Sequence, residues 1–275
     1  MKIFKSIEEF ISSELKVNIF IPTMGNLHEG HLSLIDVAKK DYGNVCVSIY
    51  INENQFTDKK DFDNYPITLK QDIEKLESKH VDYLLIPSKQ DINKYSKAFD
   101  FKLEPKKLTT DLCGKYRSGH FLAVMDIIHR FFQIIKPEKI ILGEKDFQQI
   151  ICIKELVKIC DYNISVISAP VVRNKEGLAL SSRNSHLSKD GIIVANSIFK
   201  SLILSKDLYD NNVPLDRIIE NIYDFFDKTP LKLEYFTIRN LKSLQHGNDS
   251  DLIAIIACYL EGVRLIDNMI IKSRS

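Results

Sequence analysis

Short runs rich in valine and isoleucine alternate with segments of helical period, and no other feature of the chain restricts its possible folds as much. The runs are Val17–Ile21, Val45–Ile51, Val81–Ile86, Lys139–Leu142 and Ile164–Ile167. Runs this short and this rich in β-branched residues suit strands buried on both faces. Between them, Pro66 can open a helix through Leu69, Ile73 and Leu76. The stretch Gly119–Ile135 sets Val124, Ile127, Ile128, Phe131, Phe132 and Ile135 on one broad apolar face. Strands separated by helices predict an α/β fold, a parallel sheet joined by right-handed crossovers with helices on both faces. In such sheets a ligand sits beyond the carboxyl ends of the strands.

The pattern changes near Pro170–Gly177. Helical stretches at Lys189–Leu204 and Leu215–Phe226 are followed by strand-like runs at Leu233–Ile238, Leu252–Cys258 and Val263–Ile266. Helices followed by adjacent strands predict a smaller C-terminal α+β domain, with the boundary at Arg173–Asn174. The polar stretch Gln245–Asp251 reads as a loop between two of these strands.

Charge and cysteine content narrow the function classes. Lysine and arginine total 38 against 37 aspartate and glutamate, a net charge of +1, so neither a broad nucleic-acid surface nor a membrane surface is expected. The five cysteines (Cys46, Cys113, Cys152, Cys160, Cys258) are scattered and odd in number. They predict neither a disulfide framework nor a structural zinc site, and fit a reducing cytoplasm. Charged residues at Lys2, Lys5, Glu8 and Glu9 interrupt the first apolar stretch, which therefore reads as neither signal peptide nor membrane span.

The chemistry-bearing segments lie where strands are expected to end. Pro22–His31, Pro-Thr-Met-Gly-Asn-Leu-His-Glu-Gly-His, follows the run Ile19-Phe20-Ile21 and precedes a helix-like pattern. Gly25 and Gly30 let the backbone bend, and amides at the start of the following helix favour an anion such as a nucleotide phosphate. His28 and His31 would then contact that phosphate. Two surface histidines on a turn are the plain alternative, and a metal pair lacks an evident third ligand.

Gly143-Glu144-Lys145-Asp146-Phe147-Gln148-Gln149 follows a second strand-like run, with Lys145 suited to a phosphate or carboxylate and Gln149 to a polar small molecule. Leu180-Ser181-Ser182-Arg183 offers two hydroxyls and a guanidinium to pyrophosphate oxygens, or is a serine-rich turn before a helix capped by Ser188. Arg117-Ser118-Gly119-His120 puts a cation and an imidazole at a helix start, where a capped helix with an exposed arginine reads equally well. Gln55, in a polar loop after Ile51, can serve a hydroxy acid as donor and acceptor. Asp72 is a candidate magnesium ligand, against the alternative of a solvated helix face. His80, His129, His186 and His246 show no partner spacing and read as structural or surface residues.

Taken in order, Pro22–His31, Asn52–Phe56, Tyr65-Pro66, Gly119-His120-Phe121, Gly143–Gln149, Gly177–Asn184 and Arg264-Leu265-Ile266-Asp267-Asn268 resemble the motifs of the pantoate–β-alanine ligases. That family belongs to the HIGH-type nucleotidylyltransferase superfamily, and the resemblance covers nearly the whole chain. It implies a Rossmann-like domain over 1–173 that binds nucleotide and pantoate, and a C-terminal α+β lid domain over 174–275. The implied reaction has two steps. ATP and (R)-pantoate give pantoyl adenylate and pyrophosphate, and the amine of β-alanine then displaces AMP to form pantothenate.

By similarity, Met24, Gly25, Asn26, Leu27, His28, Glu29, Gly30 and His31 hold ATP, together with Gly143, Glu144, Lys145, Asp146, Val172, Leu180, Ser181, Ser182 and Arg183. Gln55 and Gln149 hold pantoate, and Gln55 also lies near β-alanine. His31 is implied as the proton donor with His28 beside it, while Lys145 and Arg183 offset charge on the phosphates. Mg2+ is expected with ATP, and a homodimer through the N-terminal domain. The chain has Glu53, Ile67, Cys113, Ser118, Leu122-Ala123 and Leu180 where the family has proline, arginine, glutamate, proline, arginine-glycine and methionine. Two other readings stay open. One is nucleotidyl transfer to a phosphorylated acceptor, which the neutral Gln55 and Gln149 disfavour; the other is nucleotide binding without catalysis.

Overall fold

The computed structural model describes residues 1–40, 43–247 and 251–272. Its larger sheet has six parallel strands: β1 (Lys2–Phe4), β2 (Ile19–Thr23), β3 (Val45–Ile49), β4 (Tyr83–Leu85), β5 (Lys139–Gly143) and β6 (Ser165–Ala169). They are ordered β1-β4-β3-β2-β5-β6. The expected parallel sheet is therefore present, with one strand more than the apolar runs foretold. β1 escaped the pattern because it is three residues long and begins with a lysine. It is held by pairing Lys2–Phe4 with Tyr83–Leu85 and by fully burying Phe4, whose ring meets Phe10 edge-on at 5.3 Å.

β2 lies in the middle of the sheet, with β3 on one side and β5 on the other. Strand order reverses there, so the carboxyl ends of β2 and β5 flank the switch point at which open α/β sheets bind ligands. Ile19, Ile21, Val45, Val47, Leu84 and Ile141 pack with Leu34 and Ile35 of the helix Glu29–Ala38 into one core, which fixes that helix directly after β2.

The smaller sheet is antiparallel, β7 (Lys232–Asn240), β8 (Leu252–Leu260) and β9 (Val263–Lys272), with β8 central. Ala254, Ile256 and Cys258 of β8 pack on Ile198, Leu202, Ile218, Ile222 and Phe226 from two helices. The expected helix Lys189–Leu204 is two, Lys189–Ala195 and Ser197–Asp210. Asn196 separates them: its N–H reaches the carbonyl of Ile193, a tightened i−3 bond, while its backbone keeps helical angles. Of the expected loop Gln245–Asp251, residues 248–250 lie outside the described residues.

The chain divides into two compact units. One takes Met1–Gly143 and Gln148–Pro170; the other takes Glu144–Phe147 and the chain from Val171 onward. Among the described residues, no helix is long and apolar enough to cross a membrane.

Candidate active site

The turn after β2 is built from two left-handed residues and a helix cap made by histidines. Gly25 has φ +81° and Asn26 φ +49°. His28 is the N-cap of the helix Glu29–Ala38, and its Nδ1 accepts the N–H of Gly30 at 3.1 Å. His31, one turn on, returns the favour: its Nδ1 accepts the N–H of His28 at 3.3 Å. This is a capping box in which imidazoles replace the usual hydroxyl and carboxyl groups. The two rings lie 4.1 Å apart, tilted by 39°. A ring nitrogen that accepts a hydrogen bond carries no proton, so each neutral imidazole bears its hydrogen on Nε2. The pair is therefore set as two Nε2–H groups near the carboxyl end of a central strand.

Most amides of this turn are engaged inside the protein. The N–H of Gly25 donates to Thr23 Oγ1, those of Asn26 and Leu27 to Asp72, that of His28 to His31, that of Gly30 to His28, and that of His31 to the carbonyl of His28. These amides serve the turn itself.

Asp72 differs from both of its sequence readings. It is 1% exposed, so it is not on a solvated face. Its Oδ2 accepts from Asn26 N at 2.9 Å and Thr68 Oγ1 at 3.1 Å, and its Oδ1 accepts from Leu27 N at 2.8 Å. A carboxylate so engaged is the anchor of the turn and a poor magnesium ligand. Among the described residues no group of three or more His, Cys, Asp or Glu is arranged to hold a metal ion.

Gln55 sits in a 3-10 turn, Glu53–Gln55, beyond the end of β3. Its side-chain amide donates to Met24 Sδ, and its Oε1 accepts from Asn52 Nδ2 at 3.4 Å. Its backbone carbonyl is held by His120 Nδ1 at 2.7 Å and Arg117 Nη2 at 3.2 Å. Arg117 Nη1 also lies 3.1 Å from His120 Nε2, which makes Nδ1 the protonated nitrogen of that ring. Neither reading of the Arg117–His120 segment foresaw this. The arginine is half-buried and the histidine buried, and together they fix the loop that carries Gln55. Gln149 follows Gln148 on the helix Phe147–Ile159, and the two differ in role. Gln148 is buried and ties Cys113 N, Leu108 O and Asp111 O, whereas Gln149 is half-buried.

In the C-terminal unit the Glu144–Lys145 segment is held from behind by Asn268 of β9, whose Nδ2 donates to both carbonyls at 2.8 and 3.1 Å. Lys145 Nζ is 3.7 Å from Asp146 Oδ1. The neighbouring Asp267 is 2% exposed and pairs bidentately with Arg173, whose guanidinium also covers the Phe199 ring at 4.3 Å. Burial lifts the Asp267 carboxyl above the ordinary aspartate range, and Arg173 works against that lift. Arg173 also donates to Gly177 O, and Leu180 N donates to Val172 O. Gly177 has φ +100°, and a Cβ there would meet the Phe199 ring. This hairpin leads into the 3-10 turn Ser182–His186, which Ser181 caps by accepting the N–H of Arg183 at 3.3 Å. Ser181, Ser182 and Arg183 all stay half-buried.

Sequence reasoning missed the contacts of Lys75, whose Nζ donates to the Leu27 carbonyl at 2.6 Å, and those of Arg173 and Asn268. For Asn268 the motif Arg264–Asn268 is a signal, without a role attached. Of the departures from the family pattern, Ile67 is 79% exposed and Cys113 is buried with its N–H on Gln148.

The family model for pantoate–beta-alanine ligase matches residues 2–270. The pantothenate synthetase of Wigglesworthia glossinidia brevipalpis is 40% identical over 92% of this chain and 90% of its own length. That of Thermosipho africanus is 37% identical over 98% of this chain and its entire length. Among solved structures, Thermus thermophilus pantothenate synthetase superposes with a TM-score of 0.93 at 26% identity, covering 99% of this chain and all of the other. A Francisella tularensis pantoate–beta-alanine ligase, solved in complex with beta-gamma ATP and beta-alanine, superposes at 0.80 with 34% identity over 98% of both chains. With likeness in sequence and structure running end to end, the chain belongs to the pantoate–beta-alanine ligase family.

Proposed function

We propose that this protein condenses (R)-pantoate with β-alanine at the expense of ATP. A pantoate carboxylate oxygen attacks the α-phosphorus, the bond to pyrophosphate breaks, and pantoyl adenylate forms. The β-alanine amine then attacks the acyl carbon and AMP departs with the bonding electrons. Adenylation is needed because a free carboxylate has no good leaving group; the enzyme itself need supply no covalent nucleophile.

The observation that supports this reading is the reciprocal capping of His28 and His31, which leaves the hydrogen of each neutral ring on Nε2; in this reading those groups donate to phosphate oxygens. Such fixed donors stabilise charge that develops during transfer without reorganising. In this reading His31 is the principal donor and His28 assists it. Met24, Gly25, Asn26, Leu27, Glu29 and Gly30 shape the nucleotide-binding turn. Lys145, Ser181, Ser182 and Arg183 take the phosphates, with Gly143, Glu144, Asp146, Val172 and Leu180 completing the ATP contacts. Gln55 and Gln149 hydrogen-bond pantoate, and Gln55 also borders β-alanine.

Magnesium would accompany ATP and offset phosphate charge, and Asp72, committed to the turn, would not be its ligand. Residues 1–173 form the nucleotide- and pantoate-binding domain and 174–275 the lid domain. The protein works in the cytoplasm as a homodimer. The deciding experiment is ATP–pyrophosphate exchange with purified protein: exchange that depends on pantoate, and AMP release on adding β-alanine, are expected. Exchange with a phosphorylated acceptor instead of pantoate would overturn the ligase reading.

A further inference from the structure

Asp72 and Lys75 lie three residues apart on the helix Leu69–Ser78, hence on one face, and both are spent on the backbone of Leu27. Asp72 takes the N–H groups of Asn26 and Leu27, and Lys75 Nζ donates to the Leu27 carbonyl at 2.6 Å. Successive N–H groups converging after a left-handed residue form a concavity that elsewhere binds an anion. Here the concavity is filled by the protein's own carboxylate, so tightly that a Cβ on Gly25 would lie 3.1 Å from Asp72 Oδ2. Asn26 is left-handed, a conformation that asparagine takes more readily than other non-glycine residues.

We propose that Asp72 is the resident anion of this turn, and that Asp72 and Lys75 are positioning residues that set His28 and His31 for the ATP phosphates. Their action runs through the chain. Leu27 is bonded directly to His28, and His28 caps the helix that carries His31. Lys75 adds a positive charge on the helix face that carries Asp72. The inference rests on the ligase reading for the reaction, while its geometry lies wholly within the N-terminal unit.

Asp72→Asn keeps the shape but turns an amide N–H toward a backbone N–H, so at least one of the bonds is lost. Lys75→Met keeps the stem and removes the ammonium. Each is expected to slow pantoyl-adenylate formation, by about tenfold for Asp72→Asn and about threefold for Lys75→Met, with the pantoate KM within about twofold of wild type. In a background lacking both imidazoles, His28→Ala with His31→Ala, either substitution should cost less than about twofold, because its effect passes through those two rings. Wild-type kcat per folded molecule in the single variants, or losses that multiply with that of the double histidine variant, would overturn the proposal. If Asp72→Asn does not fold, Lys75→Met alone decides by the same criteria.

Wild-type exchange with pantoate tests the ligase reading separately. The imidazole 15N shifts of His28 and His31 test the positioning role even in a protein without that activity. Both should move in the variants, and unmoved shifts overturn the inference.

Discussion

His28 and His31 show how little of a residue's role lies in its side-chain type. An imidazole on a surface turn can take either tautomer; these two have Nδ1 committed to backbone N–H groups two residues apart. In the proposed reading His31→Ala removes a phosphate donor, and it also removes one half of the capping box. Pantoyl-adenylate formation should therefore fall at least about tenfold, a barrier change of ~1.4 kcal/mol or more. Single-turnover measurement with saturating ATP and pantoate checks this, and an unchanged rate would remove His31 from the chemistry. The histidine types and their spacing were legible in the sequence. Their tautomer was not, because it depends on where two backbone N–H groups point.

At the scale of elements, loops are fixed by partners from distant strands and helices. Asn268 of β9 reaches Glu144 and Lys145 across more than a hundred residues of chain. Asn268→Ala leaves two carbonyls without that donor. A loss of about 1–2 kcal/mol in kcat/KM for ATP is expected, with the pantoate KM little changed; an unaltered ATP kcat/KM would show that the segment does not need the strand behind it.

The helix His120–Ile135 is joined to the chain after Phe147–Ile159 by Tyr162, whose hydroxyl lies 2.9 Å from His129 Nδ1. Burial pushes the Tyr162 phenol up to about 12 and holds His129 below the ordinary histidine value of 6.5. The tyrosine thus stays protonated and donates to a neutral ring. Between the folded and unfolded His129 values the unfolded chain binds the extra proton, so stability falls as pH drops below about 6.5 and levels off under the folded value. Urea midpoints at pH 7.5 and 5.5 should therefore differ more for wild type than for His129→Gln. Equal differences would place the acid sensitivity elsewhere.

For the whole molecule, the proposed homodimer predicts a particle of twice the chain mass in sedimentation at micromolar concentration. A single-chain mass that persists to high concentration would contradict it. The parallel sheet was legible because strands covered on both faces need nearly uninterrupted apolar runs, as in β3, where every residue is buried. β1 was not, since three residues make no pattern, and the break at Asn196 was not, since its helical angles leave the apolar period unbroken.

By itself the sequence determined the class of fold, the family and the residue types at the site. Hydrophobic period and turn chemistry are local properties, written within a few residues. Only the tertiary structure decided which polar groups are spent inside the protein. Asp72 and Leu27 are 45 residues apart and Arg173 and Asp267 are 94, and no local pattern records such pairs. That is why the turn reads as an anion cradle in the sequence, while in the fold the amides of Asn26 and Leu27 belong to Asp72 and those of His28 and Gly30 to the capping histidines.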